Sequence, residues 1–266
     1  MSRNRIEWTG AQYWTKSFNP YIGCRKCSEA CENCYAEAIV RRFKMNNSIG
    51  FAPQRQESKT MIPNRGIVFC GNMTDLYGDW VAPGERQKWY SMMFSRKTDE
   101  GSNQPNKAVY LWLTKRSRTL SADIRNEVLG TSCVTMLHPD AWYGITAENQ
   151  RRYDERICNL RSVPSIDGFN VWVSCEPLLG PINLHLADNR FVKWVVVGCE
   201  SGQSRRYCGG EYLKWYENIV CQCREAGVPV FVKQLPVADS ELKWKVGKDI
   251  SEFPFGLQFR QVPFPV

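Results

Sequence analysis

Six short, nearly unbroken apolar runs punctuate this chain, and each ends abruptly in polar residues. Gly66-Ile-Val-Phe-Cys-Gly71 gives way to Asn72-Met-Thr-Asp75, and Ala108-Val-Tyr-Leu-Trp-Leu113 to Thr114-Lys-Arg116. Trp142-Tyr-Gly-Ile145 precedes Thr146-Ala-Glu148, and Asn170-Val-Trp-Val173 precedes Ser174-Cys-Glu-Pro177. Val192-Lys-Trp-Val-Val-Val197 leads into Gly198-Cys-Glu-Ser201, and Val228-Pro-Val-Phe-Val232 into Lys233-Gln234. Apolarity that is continuous rather than alternating marks parallel strands covered on both faces. Between several runs the period becomes helical. Residues 84–96 carry Trp89, Met92 and Met93, and 149–160 carry Tyr153, Ile157 and Leu160. Residues 211–226 carry Leu213, Tyr216, Ile219, Val220 and Cys223, with Gly227 as a stop.

Strand, polar end and helix, repeated, predict an α/β fold: a full or partial (β/α) TIM-type barrel, with a doubly wound open sheet as the rival. One domain over 1–266 is expected, with surface insertions near 46–64 and 98–107. A tail from Ser251, with Pro254, Pro263 and Pro265, is expected to lie extended over the body.

In such a barrel the residues after each strand share one mouth. That places Asn72, Thr74, Asp75, Thr114, Lys115, Arg116, Thr146, Glu148, Ser174, Glu176, Glu200, Ser201, Lys233 and Gln234 around a single cavity. Ser17-Phe-Asn-Pro-Tyr-Ile22 reads as the first strand, and the segment after it holds the densest chemistry. Cys24, Cys27, Cys31 and Cys34 fall within eleven residues. Such close spacing suits an iron–sulfur cluster. Structural zinc, which favours two Cys-x-x-Cys knuckles on a longer spacer, is an alternative, as are disulfides or free thiols.

Twelve cysteines would suit a secreted disulfide scaffold, but 266 residues at 43% hydrophobic content need no such staples. No basic-plus-apolar leader opens the chain and no apolar stretch approaches a membrane span, so a cytoplasmic protein without a membrane partner is expected. A net charge of +8 and 12% aromatic residues are compatible with a nucleic-acid or nucleotide-type partner. His138 and His185 receive no role.

The run Asn19-Pro-Tyr-Ile-Gly-Cys24, continued by Cys31-Glu-Asn-Cys-Tyr-Ala-Glu37, resembles the opening of a phage-associated protein family of unknown function. Further matches are Asn72-Met-Thr-Asp-Leu76, Leu113-Thr-Lys-Arg116, Tyr143-Gly-Ile-Thr-Ala-Glu148, Ser174-Cys-Glu-Pro-Leu-Leu-Gly180, Val197-Gly-Cys-Glu-Ser-Gly202 and Val232-Lys-Gln234. That family in turn resembles radical S-adenosylmethionine (radical SAM) enzymes. The resemblance implies a [4Fe–4S] cluster on Cys24, Cys31 and Cys34, S-adenosylmethionine on its open iron, and an electron donor. Cys27 is the alternative first ligand, because Cys27, Cys31 and Cys34 have the Cys-x3-Cys-x2-Cys spacing common among radical SAM enzymes. On this reading Asn72, Thr74, Asp75, Lys115, Glu148, Ser174, Glu200, Ser201 and Lys233 are cofactor-binding candidates, and Cys175, Cys199 and Glu176 are catalytic ones. Two other functions compete: a metal-stapled nucleic-acid-binding protein without catalysis, and a hydrolase built on Glu176 and Glu200.

Overall fold

The structure, a computed structural model, describes residues 15–45, 50–56, 61–94, 107–131, 136–201, 206, 211–238 and 244–264. Parts of the expected insertions, 46–49, 57–60 and 98–106, lie outside them, as does Gly202. Ten strands are present among the described residues: β1 (Thr15–Phe18), β2 (Tyr21–Ile22), β3 (Gln54–Arg55), β4 (Arg65–Cys70), β5 (Lys107–Thr114), β6 (Ala141–Thr146), β7 (Asn170–Cys175), β8 (Val192–Gly198), β9 (Val230–Ala238) and β10 (Trp244–Gly247). The helices are α1 (Tyr35–Arg42), α2 (Pro83–Phe94), α3 (Ser117–Val128), α4 (Gln150–Arg161) and α5 (Tyr212–Ala226). The expected first strand is split by Asn19-Pro20. Its second half, β2, leaves the main sheet and pairs antiparallel with β3.

Eight strands form one sheet in the order β1-β4-β5-β6-β7-β8-β9-β10. All neighbours are parallel except β10, which runs antiparallel on β9. Strand order never reverses. Because βαβ crossovers are right-handed, an order without reversal puts every crossover helix on the same face. The core shows this directly. Val68, Tyr110, Trp112, Tyr143, Val173, Val195 and Val232 pack with Trp89 of α2, Leu120 of α3, Ile157 of α4 and Tyr216 of α5. The alternate positions Phe69, Leu111, Trp142, Trp172, Trp194 and Phe231 cluster apart, without helical residues but with Phe264 of the tail. A doubly wound sheet has helices on both faces; this sheet is wound on one.

The sheet is also open, so the closed form of the expected barrel is not reached among the described residues. β9 cannot accept β1, because its outer edge is taken. β10 pairs with Leu235–Ala238, and the tail pairs with the start of β9 through Val232 N donating to Phe259 O (2.8 Å) and Gln261 N to Val230 O (3.1 Å). The tail packs on the body and includes two 3-10 turns (Ile250–Glu252 and Phe255–Leu257). It buries Phe253 and Leu257 on the helical side and Phe264 on the other.

On the helix-free face, Trp142, Trp172, Trp194 and Phe264 interlock edge-to-face or tilted, with ring centroids 5.2–6.5 Å apart. Gly144 makes this layer fit: a Cβ there would meet the Trp172 ring at 2.4 Å. The Trp172 indole donates to Trp112 O (3.1 Å), so its polar edge is satisfied in the core.

Candidate functional site

At the C-terminal ends of the parallel strands lies a cavity of about 850 Å³. Ser17 of β1 and Lys233 of β9 both line it, although seven flat strands would span about 29 Å. The sheet therefore curls around it, with the aromatic layer on the same face as Ser174 and Lys233. Asn72, Thr74, Asp75, Lys115, Ser174, Glu176, Cys199, Glu200, Ser201 and Lys233 line the cavity, as do Thr114, Arg116, Thr146 and Gln234. From the cysteine loop come Cys24, Cys31 and Cys34. Cys27 is exposed and outside the lining.

Two expected residues are placed elsewhere. Cys175 is fully buried in the helix-side core, where burial pushes its thiol well up. It sits one residue past inward-facing Ser174, so strand alternation turns it away. Glu148 is also fully buried. It takes Arg156 Nη1 at 2.6 Å, and that guanidinium also donates to Thr146 O (2.7 Å), locking the end of β6 onto α4. Burial alone would raise the Glu148 carboxyl, but Arg156, Ser28 and Lys115 hold it below the usual range.

The cysteine loop is sewn to the strand ends from both sides. Gly23 N donates to Met73 O (3.0 Å), Thr74 Oγ1 donates to Gly23 O (2.7 Å), and Cys24 N donates to Phe51 O (2.9 Å). Gly23 has φ +94°, and a Cβ there would lie 2.2 Å from Ala52 O. Only glycine fits this approach. Asn19 joins Asn72 (2.5 Å) and accepts from Met73 N (3.0 Å), and Tyr35 OH donates to Asn72 O (2.6 Å).

Asp75 is the hub beneath Cys24. It accepts from Tyr77 N (3.0 Å), Thr114 Oγ1 (2.7 Å), Lys115 N (3.0 Å) and Arg116 Nη1 (2.9 Å). Arg116 in turn lies over the Trp80 ring (4.6 Å), donates to Arg25 O (2.7 Å) and reaches Cys24 Sγ at 4.0 Å. Burial, reinforced by Asp75, pushes the Cys24 thiol up to about 12 against the pull of Arg116. Hydrogen bonding between Cys27 and Cys31 raises the former and lowers the latter, and Lys115 helps to lower Cys31.

Across the loop, Glu200 accepts from Asn33 Nδ2 (3.0 Å) and Arg206 Nη2 (2.7 Å), and Arg206 continues to Glu32 (2.8 Å) and Glu29 O (2.9 Å). Burial works against the Glu200 charge, but Arg206 and Asn33 hold its carboxyl below the usual range. Glu29 is gripped by Arg151 and Arg152. None of Glu29, Arg152, Arg206 or Trp80 is marked by the sequence pattern, and Asn33 falls within the quoted cysteine run without being assigned a role.

Three features remain able to meet a ligand. Lys115 has no carboxylate within ion-pair distance among the described residues. Glu176 pairs with Lys233 (3.1 Å) beside Ser174, and Gly198 leaves room for it, since a Cβ there would lie 2.5 Å from Glu176 Oε1. Gln234 donates to Cys199 O (2.6 Å), while its Oε1 is buried without a partner. Such an orphaned acceptor is costly unless a ligand fills it. Among the described residues no three His, Cys, Asp or Glu side chains gather as a single metal ion requires. Nor, among the described residues, is any helix long and apolar enough to cross a membrane.

No curated protein and no solved structure matches the chain. Residues 3–253 match the family model described as "Protein of unknown function (DUF5131)", and the chain belongs to that family.

Proposed function

We propose that this protein is a radical S-adenosylmethionine enzyme, with a [4Fe–4S] cluster on Cys24, Cys31 and Cys34, acting on a nucleic acid or nucleotide-type substrate. The observation that carries this reading is the division of the four loop cysteines. Three line the cavity among the polar strand ends, and the fourth, Cys27, does not. Three thiolates leave a cluster iron open, whereas four close it. Tetrahedral zinc at about 2.3 Å would draw its sulfurs to about 3.8 Å of one another; a cubane takes each thiolate on a different iron. The one-face, open, curled sheet is compatible with a partial barrel of the radical SAM kind.

The cluster would supply the electron that cleaves S-adenosylmethionine to a 5′-deoxyadenosyl radical. The chain's own residues would bind and orient. Lys115 offers a point charge to a carboxylate. Gln234 Oε1 offers a buried acceptor to an amine or adenine donor. Glu176 and Lys233 form a polar pair at the cavity wall, with Ser174 beside them. Cys199 is the thiol of the lining that the cysteine loop does not supply. Asp75 and Glu200, whose oxygens are already engaged, act as positioning residues that hold the loop over the strand ends.

Anaerobic reconstitution followed by iron and sulfide analysis and electron paramagnetic resonance, with and without S-adenosylmethionine, tests this reading. Cys27→Ser should keep the iron and the cofactor-induced spectral change, and Cys24→Ser, Cys31→Ser and Cys34→Ser should each lose them. The presence of all four cysteines in one short loop, with Cys27 acting on the Cys31 thiol, favours a second reading, a four-cysteine site stapling a nucleic-acid-binding protein. Zinc in place of iron, or equal dependence on all four cysteines, would establish that reading and retire the first.

A further inference from the structure

The wall built from the ends of β6, β7, β8 and β9 carries two buried side-chain oxygens that accept no hydrogen bond among the described residues. One is Gln234 Oε1, on a residue only 2% exposed. Its amide is held from the other end. Nε2 donates to Cys199 O (2.6 Å), and Cys199 N donates to Gln234 O (3.1 Å). With the nitrogen committed, the oxygen is fixed as an acceptor. The second is Glu176 Oε1. Lys233 Nζ supplies charge at 3.1 Å, but off the line of a hydrogen bond. Glu176 is seated here because Leu178 N donates to Gly198 O (2.9 Å) and because Gly198 has no Cβ to fill the space.

The two acceptors thus stand over consecutive residues, Gly198 and Cys199, whose Cα atoms are about 3.8 Å apart. Glu176 and Gln234 line the same cavity. One buried acceptor without a donor is costly, and two side by side point to a ligand with two adjacent donors.

Hydroxyl donors complete the row. Thr146 and Ser174 are paired in register on β6 and β7 and line the cavity, and Ser174 Oγ lies 3.4 Å from Glu176 Oε2. Strand order sets the sequence across the wall: hydroxyls from β6 and β7, then Glu176 beyond β7, then Gln234 of β9. That is donor, acceptor, acceptor. Among the common bases only guanine carries the complement on one edge, with O6 as acceptor and N1–H and N2–H2 as donors. Adenine and cytosine have a bare ring nitrogen where guanine has N1–H, and it would face the Glu176 carboxylate. Uracil and thymine offer a single N–H between two carbonyls. The wall also adjoins the cysteine loop, since Asn33 Nδ2 donates to Glu200, two residues beyond Gly198 (3.0 Å). At about 850 Å³ the cavity is in the upper range of ligand pockets, with room for a base beside a cofactor.

We infer that this wall is a guanine-reading subsite, with Glu176 and Gln234 accepting from N1–H and N2–H2 and the Thr146 and Ser174 hydroxyls facing O6. This deepens the proposed function and rests on its nucleotide-type substrate. Binding is measured without a cluster, so a failed reconstitution and a failed binding experiment are separate results.

The test is isothermal titration calorimetry on the full, metal-free chain with guanosine, inosine and adenosine monophosphates. Inosine lacks only the 2-amino group, so its nucleotide should bind about 5- to 150-fold more weakly, the cost of one buried acceptor left unmet. Adenosine monophosphate should bind at least as weakly as the inosine compound. Gln234→Met should bring guanosine monophosphate down to the inosine level and leave inosine monophosphate almost unchanged. Glu176→Gln places an amide where adenine has its ring acceptor, and should shrink the guanine-over-adenine ratio by about 10-fold or more. A short oligothymidylate with one central guanine shows the source of the base: tighter binding than the mononucleotide assigns guanine within a strand, and equal binding assigns the free nucleotide. Circular dichroism checks that the variants fold, and the nucleotide series on the wild-type chain needs no variant. The inference is overturned if guanosine monophosphate does not bind, or if inosine or adenosine monophosphate binds as tightly. It is equally overturned if Gln234→Met weakens the guanosine and inosine compounds by the same factor, as a merely structural role would.

Discussion

Replacing Gly23 by alanine perturbs one carbon atom and should loosen the whole cysteine loop. At φ +94° an L-residue pays about 1–2 kcal/mol in backbone strain. The new Cβ would also lie 2.2 Å from Ala52 O and 2.7 Å from Phe51 O, and ordinary contact begins at 3.4 Å. The two backbones must part by about 1 Å, which the hydrogen bonds around Gly23 cannot follow. Losing two of these, from Cys24 N to Phe51 O and from Gly23 N to Met73 O, adds about 1 kcal/mol each. The total expected cost is about 3–4 kcal/mol, a large part of the roughly 5–15 kcal/mol that holds a typical domain folded. Gly227→Ala is the internal control. Gly227 ends α5 at φ +66° with nothing within 4 Å of its built Cβ, so it should lose only the strain, about 1–2 kcal/mol. Urea unfolding of both variants, with m unchanged, gives the difference. If Gly23→Ala costs no more than Gly227→Ala, the close approach to Ala52 is not what fixes the loop, and the reasoning fails.

Arg116→Gln removes the cation from Asp75 and the donor from Arg25 O. Stability should fall by about 1.5–3 kcal/mol, and Cys24 of the metal-free protein, having lost the cation that lowers its thiol, should alkylate more slowly, as followed by mass spectrometry. Glu148→Gln breaks a buried pair and should cost about 3–5 kcal/mol near neutral pH. Because the folded carboxyl is held below its unfolded value of about 4.3, its contribution is present above that pH and lost as pH falls through the lower folded value. Urea midpoints from about pH 3 to 7 should therefore show a shallower acid loss in the variant; an unchanged slope would refute the pairing. Gly144→Ala pushes against Trp172 and should overpack the aromatic layer by about 1–3 kcal/mol, with a changed near-ultraviolet spectrum. Wild-type stability and spectrum would show that the layer has slack.

Much of the sheet is legible in the chain because its strands are buried on both faces. Residues 192–197 and 170–173, read from apolarity alone, lie within β8 and β7. What apolarity cannot convey is which face each residue takes, and this decides the fates of Cys175 and Cys199. One points into the helical core, and the other, beyond the end of β8, lines the cavity. Helix α3 leaves little trace in the sequence pattern because its core face rests on little more than Leu120 and Ile124, four residues apart in a polar stretch. The i, i+4 spacing was the available signal. Glu148 shows a different limit. Its place after a strand suggested a ligand, yet Arg156, eight residues on in the next helix, claims it, and only the fold brings the two together. The grip of Arg152 and Arg206 on the cysteine loop joins residues 123 and 177 positions apart, beyond any local pattern.

The aromatic layer beneath the cavity sets an order on how the chain becomes a protein. Trp142, Trp172 and Trp194 come from successive strands, but the ring that wedges against Trp142 and Trp194 is Phe264, in the last turn of the described tail. Synthesis proceeds from the N-terminus and domains fold as units. The cysteine loop and the first parallel strands leave the ribosome long before the residue that completes the layer under them. Until Phe264 arrives, Trp142 and Trp194 lack the ring that packs edge-on against them, and the layer beneath the pocket is unfinished. Completion of the layer under the site therefore waits on the tail, well after the cysteine loop has been made.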